Sequence, residues 1–273
     1  MQPFDSCKAT IAFTDVDGTL VGADHHPIPS ADDTFARVAA RIPLCLVSAR
    51  SPEGLYSIQQ ALNFQGPLTC FSGAYVLDGE GGELFSKTLS VEDAQEICDL
   101  VESLFPDIVV GAYGFHDWYV KSRDCKAVRR EEAAVQFEAA ESDDLLAPFS
   151  GRSLHKLLLM GAREQIVRAQ PLLAERFPHL TVERSSQILC EVMSRGVSKA
   201  HAVHLLCDHY GVDVSDAVAF GDGCNDIDML KEVPHSFAMA NAEDTVKEVA
   251  WQVLPWTNVE RGVERMLRQL VLS

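Results

Sequence analysis

The sequence predicts an α/β protein whose doubly wound, mostly parallel sheet is interrupted by an inserted α+β domain. Near-continuous apolar strands alternate with helices in the first and last thirds of the chain, which is typical of a sheet covered by helices on both faces. In the middle third, strands follow one another through short turns and so predict antiparallel hairpins. Because the alternating pattern then resumes, the middle block is an insertion into the first domain.

The first third gives the clearest alternation, because its apolar runs are short and are separated by helical segments. The elements expected there are a strand over 8–14, a helix over 31–41, a strand over 42–48, a helix over 52–63 and a strand over 68–72.

From about residue 80 the pattern changes. A Gly-rich turn leads to a strand, and Ser90 with Asp93 three residues later offers a capping box for a helix that ends before Pro106. The elements expected after it are the aromatic hairpin "DIVVGAYGFHDWYV", a charged helix over 126–140, the strand "SLHKLLLMG", a helix over 162–176 and two strands around the Ser-Ser turn of "LTVERSSQILCEVM".

The last stretch resumes the first pattern. Its expected elements are helices over 198–210, 225–232, 243–250 and 258–271, with strands over 216–222 and 236–240. We therefore expect one domain in two parts, 1–80 and 187–273, around an inserted domain over 81–186.

Composition excludes several classes of function. With 23 Lys and Arg against 40 Asp and Glu, the net charge of −17 repels nucleic acid and anionic membranes. The sequence shows no signal-peptide core and no run of about 18 apolar residues, so a cytoplasmic location is the expectation. The eight cysteines form no C-x-x-C pair, which indicates reduced, core-filling thiols. Neighbouring His25 and His26 are interpreted as part of a solvated loop.

Two aspartates stand one residue apart in "IAFTDVDGTLVG". In an extended strand Asp15 and Asp17 would point to the same face and could converge on one pocket. Like charges about 4 Å apart repel by roughly 4 kcal/mol at an effective dielectric constant of about 20, so a cation or a proton has to offset them. The alternative is that Asp17-Gly18 is a plain turn after a strand.

Further polar side chains follow the other predicted core strands, at the carboxyl edge where open α/β sheets carry their function. Together these are four carboxylates, two hydroxyls and one ammonium: Asp15, Asp17, Asp222, Asp226, Ser48, Ser72 and Lys199. Mg²⁺ suits such a set because it takes one or two carboxylates together with phosphate and water oxygens; Ca²⁺ would offer less to catalysis. Taken singly, Lys199 is more often a solvated helix residue and Ser48 more often a strand cap, and only the joint pattern favours a site.

Such a site suits a phosphoryl group. The metal and Lys199 would neutralise its oxygens while Ser48 donates a hydrogen bond to one of them. One aspartate could attack phosphorus, and its neighbour could protonate the leaving alkoxide and then activate water.

Four segments in this order, "DVDGTLVG", "LVSAR", "GVSKAHAV" and "GDGCNDIDML", resemble the motifs of the haloacid dehalogenase superfamily of phosphatases. The downstream "AMANAEDTVKEVA" resembles the Cof-type subfamily, which carries a large α/β cap between the second and third motifs. The resemblance covers about residues 8–80 and 187–270. It implies a Rossmann-like core with an inserted α+β cap that sets specificity.

The resemblance also implies roles for individual residues. Asp15 would be the nucleophile and Asp17 the general acid and base. Mg²⁺ would be held by Asp15, the backbone carbonyl of Asp17, Asp222 and Asp226. The residues expected to bind or orient the phosphoryl group or substrate are Ser48, Ala49, Arg50, Lys199, Asn225 and Asn241.

Two positions depart from the family pattern. Ser48-Ala49-Arg50 stands where Thr-Gly-Arg is usual, so the hydroxyl is kept but Ala49 adds a Cβ where backbone could approach the ligand. Ser72-Gly73-Ala74 stands where relatives often have Asn-Gly-Ala. Both departures bear on the shape of the phosphate site.

The leading hypothesis is a Mg²⁺-dependent phosphatase that acts on a small phosphorylated metabolite, with a sugar phosphate as first candidate, and that is a monomer or homodimer. A phosphomutase of the phosphomannomutase type is the alternative enzyme, since basic residues of the insertion could hold a second phosphate: Lys121, Arg123, Lys126, Arg129 and Arg130. A non-catalytic phosphosugar-binding regulator is the alternative outside enzymes.

Overall fold

The computed structural model describes residues 9–22, 24–28 and 32–273. The described residues divide into two compact units. The first unit comprises the described residues of 1–50, 55–85 and 198–273, and the second comprises 51–54 and 86–197. The predicted strand over 8–14 and helix over 31–41 each begin at a residue outside the described part.

Fourteen strands and nine α-helices lie in this described part of the chain, numbered here in chain order. The strands are β1 (Ile11–Thr14), β2 (Leu44–Val47), β3 (Leu68–Cys70), β4 (Tyr75–Leu77), β5 (Glu83–Ser86), β6 (Val109–Gly114), β7 (Asp117–Val120), β8 (Ala140–Glu141), β9 (Lys156–Met160), β10 (Leu180–Glu183), β11 (Leu189–Ser194), β12 (Ala217–Gly221), β13 (His235–Ala238) and β14 (Gln252–Val253). The helices are α1 (Thr34–Ala39), α2 (Pro52–Ala61), α3 (Val91–Leu104), α4 (Lys126–Val135), α5 (Arg163–Arg176), α6 (Lys199–Tyr210), α7 (Ile227–Glu232), α8 (Asp244–Lys247) and α9 (Gly262–Leu267).

The first sheet has eight strands in the order β14-β13-β12-β1-β2-β3-β4-β5. The six strands from β14 to β3 pair with their neighbours in parallel, and β4 pairs with β3 in the antiparallel direction. The central strands are fully buried apolar runs, as a parallel sheet covered on both faces requires. This confirms the predicted doubly wound, mostly parallel α/β fold.

The register of the central strands explains where the polar residues collect. Thr14, the last residue of β1, is paired with Phe220 on one side and Leu46 on the other. The residues that directly follow these three strand ends therefore emerge along the same edge of the sheet. This is the carboxyl edge at which the sequence predicts the site.

The second sheet has six strands in the order β10-β11-β9-β6-β7-β8 and is mainly antiparallel. Helices α3 and α5 contribute buried apolar side chains to the same core cluster as strands β6, β9 and β11. Ser90 begins α3 as predicted: its Oγ accepts a hydrogen bond from Asp93 N at 3.0 Å. The predicted α+β character of this block is thus observed.

Three element predictions differ from the structure. The helix predicted over 126–140 ends at Val135, because Gln136 adopts a left-handed conformation with φ 56° and the chain then enters β8. The final helix begins at Gly262 and not at 258, since Arg261 before it is also left-handed. The short strand β4 and the short edge strands β8 and β14 were not predicted.

The divisions between the units also differ from the predicted domain ends. The structure divides the chain between residues 85 and 86 and between 197 and 198, and assigns Ser51–Gly54 to the second unit. Strand β11 pairs with β10 and β9 of the second sheet and therefore belongs to the second unit. For this reason the second unit ends at residue 197 and not at the predicted residue 186. None of the helices in the described part combines the length and apolar character needed to cross a membrane.

Candidate active site

Asp15 lies directly after β1, buried at the carboxyl edge of the first sheet. Its backbone N–H donates to Phe220 O of the neighbouring strand at 2.9 Å, and its side chain is nearly inaccessible. Lys199 Nζ donates to Asp15 Oδ1 at 2.7 Å. No described residue donates a hydrogen bond to the other oxygen, Oδ2, so that atom is open to react with a ligand.

Lys199 reaches this position from the first turn of α6. Ser198 begins the helix, because its side chain accepts a hydrogen bond from His201 N at 3.1 Å. Gly73 passes so close to Ser198 O that an added Cβ would overlap it, and Gly73 also has a positive φ of 103°. Both features fix the start of the helix and hence the direction of the lysine.

Asp226 is the second partner of Lys199, with its Oδ1 accepting from Nζ at 2.6 Å. Its Oδ2 accepts from the backbone N–H groups of Asp222 and Gly223, at 2.9 and 3.0 Å. Both oxygens of this fully buried carboxylate are therefore engaged. Burial by itself would lower the pKa of Lys199, but the charges of Asp15 and Asp226 outweigh it, so the pKa is raised and the ammonium is retained.

Three carboxylates form the candidate metal centre. One oxygen each from Asp15, Asp222 and Asp226 lies within 4.8 Å of the others. Burial, together with the nearby Asp226, raises the pKa of Asp15 well above its usual range. Burial likewise raises the pKa of Asp222 to about 6, although a hydrogen bond from Thr19 opposes the shift. A set of hard oxygen donors with excess negative charge fits Mg²⁺.

Gly18 permits the close approach of the first motif to Asp222. Its φ is 89°, which L-residues with a side chain rarely adopt, and a Cβ there would overlap the Asp222 carboxylate. Thr19 then donates from Oγ1 to Asp222 Oδ1 at 2.7 Å. The Gly-Thr pair after the two aspartates thus positions a carboxylate about 200 residues further along the chain.

Asp17 does not share the partners of Asp15. Its Oδ2 accepts from Arg50 Nε at 2.8 Å, and its Oδ1 accepts from Arg50 Nη2 at 2.6 Å. His25 Nδ1 lies 3.1 Å from the same Oδ1. Burial would raise the pKa of Asp17, but the hydrogen bonds from Arg50 and His25 outweigh it and hold the pKa well below its usual range. The two aspartates of the motif are therefore in chemically different surroundings.

Ser48 and Arg50 follow β2, beside Asp15 in the sheet. Ser48 is buried, and its Oγ accepts from Arg50 N at 3.2 Å. The next strand end holds this segment from the other side, because Ser72 N donates to Ser48 O and Phe71 N donates to Arg50 O. Ala49 lies between them, half-buried.

The two predicted asparagines have different surroundings. Asn241 Nδ2 donates to Gly18 O at 2.8 Å and Asn241 Oδ1 accepts from Asn258 N at 2.9 Å, so the side chain holds the loop of the first motif. Asn225 is exposed on the turn before Asp226. No described residue forms a hydrogen bond with its side chain, and its expected orienting role stays a prediction.

The sequence interpretation missed two contacts in this region. Thr19 lies within the quoted first motif, and its position directly after Asp17-Gly18 was the available signal for a ligand-orienting hydroxyl. His25 was interpreted as part of a solvated loop, yet it contacts Asp17. A lone histidine eight residues from the aspartate gave no spacing from which this contact could be deduced.

Residues 12–267 match the family model of haloacid dehalogenase-like hydrolases. A Haemophilus influenzae protein that carries a provisional name as a phosphatase is 33% identical over 258 residues, covering 94% of this chain and 96% of the relative. A Serratia proteamaculans protein named HMP-PP phosphatase is 26% identical over 245 residues, covering 89% of this chain and 88% of the relative.

Solved structures share the fold over nearly the whole chain. A haloacid dehalogenase-like hydrolase from Bacteroides thetaiotaomicron superposes with a TM-score of 0.88 at 22% identity, covering 96% of this chain and all of its own. A second protein from that organism, studied among phosphatases of the haloalkanoate superfamily, has a TM-score of 0.76 at 25% identity and covers 99% of this chain and 98% of its own.

Proposed function

The chain belongs to the haloacid dehalogenase-like hydrolase family, and on that premise we propose that it is a Mg²⁺-dependent phosphatase of small phosphorylated metabolites. The observation that carries the proposal is the buried Lys199, held between Asp15 and Asp226 with Asp222 beside them. At one edge of the sheet, the ammonium can bind a phosphoryl group and the three carboxylates can bind its metal ion.

Asp15 is the nucleophile in this proposal. Its Oδ1 is held by Lys199, which leaves Oδ2 to attack phosphorus as the bond to the leaving oxygen breaks. Mg²⁺, bound by Asp15 and Asp222, would neutralise charge on the phosphoryl oxygens. Lys199 contributes a further positive charge and holds the attacking carboxylate in place.

Asp17 serves as general acid and then general base. It protonates the leaving alkoxide, and afterwards takes a proton from the water that attacks the aspartyl-phosphate. Its side chain is 41% exposed, in contrast to the buried Asp15, so it has access to both leaving group and water. The low pKa of Asp17 suits the base step, in which its carboxylate takes a proton from water, whereas for the acid step the carboxyl must first be protonated.

The substrate class is proposed from the names of relatives. Relatives named HMP-PP phosphatase favour a small phosphorylated molecule, and a sugar phosphate remains our first candidate. Specificity would come from the second unit, as the resemblance to capped phosphatases implies.

Contacts in the second unit weigh against the phosphomutase alternative. Lys121 pairs with Glu102 at 2.9 Å, Arg123 pairs with Glu132 at 2.6 Å and Arg129 pairs with the same Glu132 at 3.4 Å. Three of the five basic residues expected to hold a second phosphate thus already lie within ion-pair distance of carboxylates.

Hydrolysis of 4-nitrophenyl phosphate with and without Mg²⁺ tests the proposal. We expect Mg²⁺-dependent release of nitrophenolate that Asp15→Asn abolishes, with no requirement for a bisphosphate activator. Turnover that persists in Asp15→Asn would contradict the assigned nucleophile, and dependence on a bisphosphate would favour the mutase. A panel of sugar phosphates and HMP-PP, ranked by kcat/KM, would then identify the substrate class.

A further inference from the structure

Gly18 is a pivot in the backbone beside the candidate metal centre. It follows Asp17, whose backbone carbonyl is one of the expected Mg²⁺ ligands, and it precedes Thr19, which donates to Asp222. With a φ of 89° and no Cβ, this glycine leaves the peptide units on both sides free to rotate unless other groups hold them. The direction of the Asp17 carbonyl therefore depends on the contacts of these two peptide units.

The peptide unit between Asp17 and Gly18 is held through its N–H group. Gly18 N donates to Val21 O at 3.2 Å, and in a trans peptide the carbonyl points the opposite way from this N–H. Val21 O also accepts from Asn258 Nδ2 at 2.8 Å, so two donors share the two lone pairs of one carbonyl oxygen. Asn258 thus holds the acceptor on which the direction of the Asp17 carbonyl depends.

The peptide unit after Gly18 is held by a second asparagine. Asn241 Nδ2 donates to Gly18 O at 2.8 Å, and Asn241 Oδ1 accepts from Asn258 N at 2.9 Å. Asn258 therefore supports the pivot in two ways, directly through its side chain and indirectly through Asn241.

Both asparagines lie on segments that are themselves fixed. They follow β13 and β14, neighbouring parallel strands of the first sheet. Ala240 N donates to Trp256 O at 3.1 Å, which joins the two segments, and Arg261 N donates to Asn258 O at 2.9 Å, which closes the turn after Asn258. A side chain supported in this way can hold its partner in a precise position.

We propose that Asn258 is a positioning residue for the metal: through Val21 and Asn241 it fixes the peptide unit that carries the Asp17 carbonyl. This inference rests on the proposed function, in which that carbonyl is a ligand of Mg²⁺. Asn258 is not itself a ligand in this proposal, because it acts through the backbone of residues 18–21. Loss of a group that orients a metal ligand typically costs about 10–100-fold in metal affinity.

Calorimetric titration of the metal-free chain with MgCl₂ is the first test, because it requires no turnover. The Kd for Mg²⁺ should rise by about tenfold or more in Asn258→Ala. Gln60→Ala, which removes a side-chain amide from an exposed position of α2, is the matched control and should keep the parent Kd. An unchanged Kd in Asn258→Ala would overturn this inference and leave the proposed function intact, whereas a parent chain that binds no Mg²⁺ would contradict both.

Hydrogen exchange of the Gly18 amide in EDTA tests the positioning itself, without the metal. By NMR of the chain labelled in its glycines, this amide should exchange roughly fivefold or more faster in Asn258→Ala than in the parent, since Val21 O loses one of its donors. Asn258→Asp, which keeps the size of the side chain but has no amide donor, should show the same acceleration.

The amide of Gly111, in the middle of β6 in the second sheet, is the internal control of this exchange experiment. It should exchange at the parent rate in both variants, which would show that the fold is intact. Exchange of the Gly18 amide at the parent rate in both variants would overturn the proposal, because Asn258 would then not hold the pivot.

Discussion

Lys199 is the residue on which the charge balance of the candidate site depends. It is 1% exposed and lies within hydrogen-bond distance of two carboxylates, Asp15 and Asp226, that are also buried. Burial of a charge is tolerated only when partners compensate it. Loss of the ammonium would leave two neighbouring buried carboxylates without a counter-charge.

Lys199→Met should therefore destabilise the fold as well as abolish activity. Breaking a buried ion pair by removing one partner costs about 3–5 kcal/mol, and we expect a loss of that size in the free energy of unfolding measured with urea in EDTA. Lys247→Met is the control, since Lys247 forms only a 3.9 Å pair with the exposed Asp244. Losses of equal size in the two variants would show that the buried pair is not the cause.

Thr19 should tune the affinity for the metal without touching the substrate. Its Oγ1 donates to Asp222 Oδ1 at 2.7 Å and thereby orients a carboxylate of the candidate metal centre. Loss of such an outer contact typically costs 10–100-fold in metal affinity, so Thr19→Val should raise the Mg²⁺ concentration for half-maximal activity by about tenfold or more. Thr19→Ser, which keeps the hydroxyl, should remain near the parent value; a parallel rise there would point to packing.

At the scale of elements, strand ends position the site. Asp15, Ser48 and Asp222 follow three adjacent parallel strands, and the register of those strands brings them to one edge. This arrangement could be predicted from the sequence because apolar runs that end in polar residues identify buried parallel strands. The direction of each side chain could not be predicted: Asp15 and Asp17 are two residues apart, but β1 ends at Thr14, so strand alternation no longer applies to them.

Helix α4 shows another limit of the sequence. The helical pattern continues to residue 140, yet the helix ends at Val135. The buried Glu132 accepts hydrogen bonds from Arg123 Nε and from Ala139 N, which hold the chain after the helix in a different direction. These contacts join residues brought together by the fold, so local propensity could not reveal them.

His155, which contacts the β6–β7 hairpin of the second sheet, should make the free energy of unfolding depend on pH. His155 is fully buried, its Nδ1 accepts from Phe115 N at 3.0 Å, and its Nε2 lies 3.0 Å from Ser86 Oγ. Protonation of Nδ1 would break the contact to the hairpin residue Phe115. Burial lowers the pKa of His155 to about 3.

In the unfolded chain this histidine is protonated below about pH 6.5, whereas in the folded chain it stays neutral down to about pH 3. The free energy of unfolding therefore falls as the pH falls from about 6.5 toward 3. The contribution lost between pH 7.5 and pH 5 is about 2 kcal/mol. Urea unfolding at both pH values should show this loss in the parent chain beyond that of His155→Gln, which cannot titrate there. Equal pH dependence in both proteins would exclude His155 as the source.

At the scale of the whole molecule, a chain with a net charge of −17 brings three of its carboxylates together at the candidate metal centre. The pKa of Asp15 and that of Asp222 are both raised by burial and by neighbouring carboxylates, so the folded chain pays to bring these groups together. A divalent cation that binds the folded chain and not the unfolded one relieves this repulsion. Mg²⁺ should therefore stabilise the protein as well as support catalysis.

Thermal unfolding with increasing MgCl₂ measures this effect. At a Mg²⁺ concentration of 100 Kd the gain is about 2.7 kcal/mol, and EDTA should remove it. For a chain of this size the expected rise in Tm is about 5–10 °C, against NaCl of equal ionic strength. Asp222→Asn should lose most of the rise, whereas Asp244→Asn, whose side chain is 97% exposed, should keep it. An undiminished rise in Asp222→Asn would place the bound cation away from the carboxylates of the candidate site.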